Sequence, residues 1–513
     1  MKINRIVKLK LTDAKLYFVS LIVGLLTGLV AVPYHYILQF IFNMRKSFFQ
    51  SSHPWYEYLF LFFALWGVLC FVAWMVRKWP YIGGGGISQT RGTINGRIQY
   101  VHSFRQLLAK FGGGVLVLLS GFSMGREGPS VQMGSYIGDL IGKWGNILKG
   151  ERKQLLSAGA GAGLAAAFDA PLAATTLVIE SIERFDAPKT AITTLLAGVV
   201  AGTIASMIFP INPYCNIQAI VPDLPMGVHI KLYVLFAVTV SVIGKFYSLL
   251  MLYAKRIYPS LQQPEYIKLS ALLIIAYIIS LTATDLTGGG EQFLMQQAKG
   301  GNSNIYWIAG MMLLHMVFTV FSFSTGLPGG NFIPTLVTGG LIGKLYALIL
   351  IQQGIIGMEN ISYIMLIGMV AFLIAVVRTP ITAIILITEI TEHFEVFYPS
   401  IIVGGLTYYF TELLGIKPFN VMFYKEMINK PIFKKEKRLT LDAEVMSGSY
   451  FDHKKVDTLT LPNHCLIKNI HRDHKDIFPS GQIILPGDQL AIELDAQDIE
   501  KLYEPLVSMA NIY

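Results

Sequence analysis

The sequence predicts an all-α polytopic membrane protein with two inverted-topology repeats of broken helices, followed by a small soluble α+β tail. Composition, the lengths of the apolar stretches and an internal repeat support this class. Of the 513 residues, 53% are hydrophobic and 14% are charged, and the mean hydropathy is +0.53. A soluble chain carries roughly 25% charged residues. A purely soluble enzyme, a disordered protein and a disulfide-rich secreted scaffold are therefore excluded.

Two basic segments flank the apolar body. Residues 1–14 and the stretch 412–438 are rich in Lys and Arg, and the positive-inside rule predicts that both lie in the cytoplasm. The body between them therefore crosses the bilayer an even number of times. A membrane span needs roughly 20 apolar residues. The long apolar stretches lie at 16–42, 55–79, 190–209, 229–254, 268–282 and 305–322.

The other apolar segments are short, rich in glycine, or interrupted by proline and charge. They lie near 104–120, 129–146, 153–167, 171–183, 333–351, 361–376, 380–391 and 396–414. Broken helices at membrane depth are tolerated only where protein buries them or where they line a wet cavity. Their density predicts a pathway for an ion or solute. Gly24, Gly28 and the run 158–163 are typical of close helix packing in lipid.

The second half of the body repeats motifs of the first half. The segments 171–185 and 380–394 share the order proline, eight residues, glutamate, two residues, glutamate, one residue, phenylalanine. The motif Leu-Ile-Gly-Lys at 140–143 recurs at 341–344, each time after a glycine-rich loop that ends in proline. Two-fold repeats with discontinuous helices are typical of secondary transporters, whose substrate site lies at the midplane between the halves.

Three glycine-rich loops predict an anion site. They are GGGGIS at 83–88, GREGPS at 125–130 and GGNFIP at 329–334. Each reads as the start of a helix, where free N–H groups and the helix dipole favour negative charge. Converging helix starts would bind an anion without a full positive charge, so that release remains fast. The net charge of +9 is attributed to cytoplasmic loops and not to nucleic-acid binding.

Glu127 lies inside the second of these loops. An ionisable residue at membrane depth is a functional candidate by default. When ionised, its carboxylate would occupy the anion site, and when protonated it would swing away. Glu127 is therefore predicted to act as both gate and proton carrier. The alternative is a structural role, in which Glu127 pairs with Arg126 or caps its helix.

These motifs resemble the chloride channel/transporter (CLC) family. The resemblance covers about 15–425 and rests on GREGP, GGNFIP, GGGGIS, the two Pro-x8-Glu helices and GIKPFN. It implies chloride as substrate, protons as a second partner, and a homodimer with one pore per subunit in a bacterial inner membrane. It also makes Glu127 the gating glutamate. The anion-binding residues that it implies are Gly85, Ile87, Arg126, Gly128, Asn331, Phe332 and Asn420.

Three positions depart from the family pattern. Gly85 stands where the family often has an anion-coordinating serine, and Asn420 stands where many members have a tyrosine that closes the inner side. Ser181 replaces a second glutamate that carries protons from the cytoplasm in many exchangers. Protons would then reach Glu127 through water or by a route through Glu180 or Glu183. The first hypothesis is proton-linked chloride exchange. The alternative is a passive voltage- or pH-gated chloride channel.

The remaining carboxylates have simpler interpretations. Those that end the repeat-related helices are predicted to bind nearby loops or to position an interface, and they are Glu180, Glu183, Glu389 and Glu392. Asp139 and Arg378 are predicted to be buried partners or interface groups.

The segment 455–513 resembles the TrkA C-terminal (RCK-C) regulatory domain. The similarity lies chiefly in Ile467–Arg472, Pro479, Gly481 and Pro486–Asp488. It implies a module that dimerises and binds a small ligand, here unknown. Strands are predicted at HCLIKNIHR, GQIILP and PGDQLAIEL, and a terminal helix at AQDIEKLYEPL.

No cofactor, metal site or enzymatic activity is predicted. The cluster His464, Cys465, His471 and His474 lacks the spacing of a metal site. A membrane receptor or scaffold that signals through its tail is a further alternative. The predicted boundaries are 1–14 for the N-terminus, 15–425 for the pathway domain (halves 15–210 and 229–425), 426–454 for a linker and 455–513 for the regulatory domain.

Overall fold

The computed structural model contains a helical body followed by a small sheet, as predicted. It describes residues 2–98, 100–145, 147, 149–183, 188–208, 219–415, 417–428, 438–462, 465–472, 475–495 and 499–510. The helices of the first half are α1 (Lys2–Gln50), α2 (Trp55–Lys78), α3 (Ile87–Ile94), α4 (Ser103–Leu119), α5 (Glu127–Trp144), α6 (Lys149–Phe168), α7 (Pro171–Leu177) and α8 (Pro188–Ile208).

The second half follows the same order of helices. Its members are α9 (Met226–Ser260), α10 (Glu265–Thr282), α11 (Glu291–Ala298), α12 (Ile305–Ser324), α13 (Phe332–Gln352), α14 (Ile361–Val377), α15 (Pro380–Thr391) and α16 (Phe397–Leu413), and α17 (Phe419–Ile428) comes after them. The third helix of each half has eight residues. The seventh helix of each half begins on a proline, whose missing N–H needs no partner there. The repeat seen in the sequence is thus a repeat of helices.

Eight helices within the described residues are long and apolar enough to cross a membrane. Six of them correspond to the predicted long stretches, and the other two are α13 and α14. From the sequence, both are predicted to be among the shorter or interrupted apolar segments. They differ from the other spans in their burial, since α14 is buried over its whole length and α13 over most of its length. They therefore form the interior of the body.

Small residues let the helices of the first half approach closely, as predicted. Gly134 of α5 and Gly159 of α6 are so close that a Cβ on either would overlap the carbonyl oxygen of the other. A Cβ on Gly24 of α1 would lie 2.8 Å from Cα of Ala197 in α8. Such contacts replace the hydrophobic effect as the source of helix association in lipid.

The tail is a four-stranded antiparallel sheet with one helix. The strands β1 (Arg438–Glu444), β2 (Leu466–Arg472), β3 (Lys475–Ile477) and β4 (Gln489–Asp495) lie in the order β1-β4-β2-β3, and α18 (Ile499–Ala510) packs on them. Two predicted strands and the terminal helix are confirmed. The strand predicted at GQIILP is wrong, since that segment forms only the isolated bridge of Ile483 with Lys455. β1 was not predicted, and it lies inside the segment 426–454 that was interpreted as a linker.

Candidate functional site

The three glycine-rich loops meet inside the helical body. Gly84 N donates to the carbonyl of Gly326 at 3.0 Å, and Gly329 N donates to that of Gly84 at 3.2 Å. Gly125 and Gly330 exchange two backbone hydrogen bonds of 2.7 and 2.8 Å. The backbone itself therefore holds the loops of both halves together.

Glycine is required where these loops touch. Gly86 has φ of 96°, a conformation that side chains with a Cβ rarely adopt. A Cβ on Gly128 would overlap the carbonyl oxygen of Gly85, and a Cβ on Gly330 would lie 3.1 Å from Gly128 N. Any larger residue at these positions would force the loops apart.

Each loop ends at the N-terminus of a helix. α3 begins at Ile87, α5 at Glu127 and α13 at Phe332, and the residue before each of them makes no side-chain capping hydrogen bond. The N–H groups of the first turns are thus left for another acceptor, and the helix dipoles make this region positive. The structure brings together six of the predicted anion-binding residues, namely Gly85, Ile87, Arg126, Gly128, Asn331 and Phe332.

Two buried polar side chains bind the carbonyl groups of the first loop. Lys110 Nζ donates to the carbonyls of Ile82 and Gly84 at 2.8 and 2.6 Å. Gln89 Nε2 donates to the carbonyl of Gly83 at 2.5 Å. The carbonyl oxygens of Ile82, Gly83 and Gly84 therefore all accept hydrogen bonds from buried side chains. Neither residue is among those predicted from the sequence, although a lysine within the apolar stretch 104–120 indicates a buried polar group.

Glu127 is the buried carboxylate at this junction. It is 1% exposed, and its carboxylate lies beside its own N–H and that of Ile333 at the start of α13. Arg126 Nε is 4.0 Å from Glu127 Oε1. The carboxylate therefore lies where two helix dipoles favour negative charge. The contact of Glu127 with Arg126, which the structural alternative predicts, is also present.

Three phenylalanine rings pack together beside the first loop. The ring centroids of Phe323, Phe419 and Phe423 are 5.4 to 5.8 Å apart, and all three side chains are buried. A Cβ on Gly85 would lie 3.8 Å from the ring of Phe323. Gly85 thus faces an aromatic ring at the position where the family often has a serine hydroxyl.

Asn420 and Ser181, the two other departures from the family pattern, contact each other. Asn420 Nδ2 donates to Ser181 Oγ at 3.3 Å. Ser181 lies in the π-helical turn Val178–Glu183 that follows α7. The Asn420 amide is thus directed toward the end of α7.

The repeat-related glutamates cap helices of the opposite half. Glu180 accepts from the first two N–H groups of α15 at 3.1 and 2.8 Å, and Glu389 accepts from those of α7 at 3.1 and 2.9 Å. Both carboxylates meet the positive end of a helix. Their predicted role in hydrogen bonding is confirmed. Glu183 instead accepts from the hydroxyl of Ser157.

Asp139 and Arg378 are buried, as predicted, and each pairs with a more exposed charged side chain. Asp139 contacts Lys143 at 2.6 Å and Arg152 at 2.5 Å, which joins the end of α5 to the start of α6. Arg378 contacts Glu412 at 2.8 Å. Both groups join neighbouring helices and lie outside the loop junction.

A cavity of about 380 Å³ lies next to Arg126. Its polar lining includes His35 from α1, Glu291 from the start of α11 and Lys299 from the segment after it. Arg126 Nη2 is 3.6 Å from Glu291 Oε2. The guanidinium of Arg126 therefore lies between two carboxylates, one buried and one on the cavity wall.

The tail contains no group of three or more metal-ligating side chains among its described residues. Cys465 is buried, and His471 pairs with Asp476, while His464 and His474 lie outside the described residues. Asp488 is fully buried and binds Arg472 through both oxygens, at 2.8 and 2.6 Å. This pair anchors the turn before β4 to the end of β2.

Comparison with known families gives two matches. The family described as "Voltage gated chloride channel" matches residues 67–412. The TrkA-C domain matches residues 441–507, a range that includes most of β1.

Curated relatives cover most of the chain. An H(+)/Cl(-) exchange transporter ClcA from Vibrio cholerae is 30% identical over 453 residues, which cover 84% of this chain and 92% of the relative. A ClcA from Salmonella schwarzengrund is 30% identical over 431 residues, covering 81% of this chain and 89% of the relative.

Solved structures share the fold. A slow cyanobacterial Cl-/H+ antiporter superposes with a TM-score of 0.74 at 26% identity and covers 81% of this chain and 99% of its own. A CLC-type fluoride/proton antiporter superposes with a TM-score of 0.65 at 22% identity, covering 78% of this chain and 96% of its own. The second likeness concerns the fold alone.

Proposed function

The chain belongs to the voltage-gated chloride channel family, and from that premise we propose that it exchanges chloride for protons across a membrane. The observation that carries this proposal is that the carboxylate of Glu127 lies at the N-termini of α5 and α13, while the loop that begins α3 packs against the loops of both. The relatives that cover most of the chain are exchange transporters, which favours exchange over a passive channel.

Chloride is bound by backbone N–H groups in this mechanism. The loops that begin α3, α5 and α13 supply partial positive charges, so the ion is held without a salt bridge and leaves quickly. Lys110 holds the carbonyls of Ile82 and Gly84 behind the first loop and does not reach the ion. The residues that we assign to the anion site are Gly85, Ile87, Arg126, Gly128, Asn331 and Phe332.

Glu127 alternates with chloride at this site. Its ionised carboxylate competes with the anion for the N–H groups of α5 and α13. Protonation removes the charge, so the neutral side chain leaves and chloride enters. One residue thus moves the proton and opens the path, and turnover rises as the pH falls.

The inner side differs from that of many exchangers, and this points to a different proton route. Glu180 is engaged with two N–H groups and the hydroxyl of Thr382 at the start of α15. Glu183 is bound to the hydroxyl of Ser157, so we propose Glu183 as the inner carboxylate on the proton route. Asn420 donates to Ser181, and we propose that it borders the anion site on its inner side.

We also propose a homodimer with one pore in each subunit. α7 and α15 contact each other and expose the apolar side chains of Leu172 and Ile381. Helices of seven and twelve residues are too short to span the hydrocarbon core. A second copy of the chain is therefore a better partner for these side chains than lipid.

The expected setting is a bacterial inner membrane with both termini in the cytoplasm. The pathway domain comprises 15–425, and the tail binds an unidentified small ligand and supports the dimer. β1 pairs with β4 along its whole length. We therefore place the start of the tail domain at Arg438 instead of 455.

The test is a flux measurement on purified full-length protein in liposomes. An outward chloride gradient is imposed, and external chloride and pH are recorded together. Exchange predicts that chloride efflux drives protons inward against their own gradient. The variant Glu127→Gln should keep chloride flux and lose proton movement. Chloride flux that settles at the Nernst potential without proton movement in the unmodified protein would show a channel instead.

A further inference from the structure

A second carboxylate faces the gate from the cavity side. We propose that Glu291 sets the external pH at which Glu127 releases the anion site, by holding Nη2 of Arg126 while Nε of the same guanidinium faces Glu127. This inference rests on the proposed function of Glu127. It makes Glu291 a positioning residue that acts through Arg126.

The geometry places one guanidinium between two acids. Arg126 Nη2 is 3.6 Å from Glu291 Oε2, and its Nε is 4.0 Å from Glu127 Oε1. Glu127 is 1% exposed, whereas the side chain of Glu291 is 24% exposed. Arg126 and Glu291 both line the cavity of about 380 Å³. A Glu127 side chain that leaves the anion site on this side therefore moves toward Glu291.

The repeat explains why an acid stands at this position. Glu291 begins the eight-residue helix α11, as Ile87 begins the eight-residue helix α3 of the first half. Both helices follow glycines, and Gly288 and Gly290 have φ of 68° and 79°. The first half offers its helix start to the anion. The second half fills the equivalent helix start with a carboxylate, which the dipole of α11 stabilises.

Charge then decides the position of Glu127. If both acids were ionised, moving the Glu127 carboxylate toward Glu291 would bring like charges together. The ionised form therefore stays in the anion site, and the form that moves out is the protonated one. Removal of the Glu291 charge makes protonation of Glu127 less favourable and leaves Arg126 to pair with Glu127 alone.

Other charged groups face the same cavity. α1 contributes His35, whose Nε2 is 3.5 Å from Ser130 Oγ, and Arg45, which donates to the hydroxyls of Ser280 and Thr287. Lys299 follows α11 on the cavity wall.

Further titratable groups lie behind these elements. Tyr34 of α1 is fully buried near Glu127, and His315 of α12 lies behind Gly290. Asp285, between α10 and α11, pairs with Lys46 at 2.7 Å. None of these groups pairs with Arg126 as Glu291 does in the described part of the chain.

The experiment measures chloride and proton flux of the full chain in liposomes against external pH at fixed internal pH. Glu291→Gln should move the midpoint of the flux profile to lower pH by about half to one unit. Glu291→Asp keeps the charge and should restore most of the profile. Asp285→Asn is the matched control, because it removes a carboxylate near the same cavity that pairs with Lys46, and it should leave the midpoint in place.

The double variant Glu127→Gln with Glu291→Gln decides whether the effect passes through Glu127. We expect it to be as insensitive to pH as Glu127→Gln alone. An unmoved midpoint in Glu291→Gln, an equal shift in Asp285→Asn, or a shift that persists without Glu127 would each overturn the role of Glu291. A Glu127→Gln variant that kept its proton flux would instead overturn the proposed function itself.

Discussion

The loops that begin α5 and α13 occupy equivalent positions in the two halves, but their side chains differ. The first reads Gly-Arg-Glu-Gly-Pro at 125–129, and the second reads Gly-Asn-Phe-Ile-Pro at 330–334. Their leading glycines pair with each other, and Phe332 stands where the first half has Glu127. The two halves thus share one backbone frame, and only one of them carries a titratable group.

The residues behind these loops differ in the same way. Lys110 and His315 stand at the same spacing before Gly125 and Gly330, and both are fully buried. Lys110 binds carbonyls of the loop before α3, and His315 lies beside the carbonyl of Leu286 before α11. The two halves thus share one frame but place different chemistry behind equivalent loops.

The largest effect is expected at the gate. Glu127→Gln should reduce proton transport to background and leave chloride flux the same or higher at every pH, because the neutral side chain no longer competes for the N–H groups. Glu395→Gln, at a largely exposed carboxylate outside these loops, should keep both fluxes. Simultaneous chloride and pH recording from liposomes measures this. Proton transport that survived in Glu127→Gln would mean that the halves do not differ in the way proposed.

The next effect is expected at the buried Lys110. Lys110→Met removes two hydrogen bonds that hold the carbonyls before and within the loop that begins α3, each worth about 0.5–1.5 kcal/mol, and should weaken chloride binding by about threefold to tenfold. Lys110→Arg is the control that keeps a donor at this position, and His315→Leu is its counterpart in the other half. Isothermal titration of each variant with chloride measures the affinities. Equal losses of chloride affinity in Lys110→Met and His315→Leu would contradict the proposed difference between the two halves.

A smaller effect, on stability, is expected at the helix caps formed by Glu180 and Glu389, which are equivalent in the two halves. Glu180→Ala and Glu389→Ala each remove a cap from a helix of the other half, which costs about 1–2 kcal/mol. Both variants should therefore lower the apparent melting temperature in detergent by similar amounts. Glu395→Ala, at a largely exposed carboxylate, should not. A lower melting temperature in only one of these two variants would show that the caps of the two halves are not equivalent.

The smallest effect on permeation is expected at the tail, which has no counterpart in the repeat. Deletion of 438–513 should leave the rate of chloride transport unchanged, because all loops of the site lie in the body. Light scattering in detergent should show a weaker dimer. Complete loss of flux from a well-folded truncated chain would instead make the tail part of the path.

Much of the frame could be predicted from the sequence. The apolar stretches gave the helix positions, because a membrane span requires an unbroken run of apolar residues. Proline indicated where α7 and α15 begin, at Pro171 and Pro380. The repeat-related loops could be predicted to meet, since related halves place equivalent loops around one centre. The Gly125 and Gly330 pairing agrees with this prediction.

The remaining features depend on contacts between distant segments. Lys110, Gln89 and Glu291 lie outside the loop motifs, and their partners are known only once the chain is folded. β1 follows a basic stretch, and its identity as a strand comes from pairing with β4. GQIILP has apolar residues typical of a strand, but Gly481 has φ of 74° and Pro486 lacks an N–H. Only the isolated bridge at Ile483 forms there.

The exchange of caps between Glu180 and Glu389 also bears on how the protein is made. When the first half leaves the ribosome, the start of α7 and the carboxylate of Glu180 both lack the partners that α15 and Glu389 later provide. Neither half is thus a finished folding unit, and each completes the other after insertion. We expect fragments 1–218 and 219–513, produced as separate polypeptides in one cell, to reassemble into an active complex.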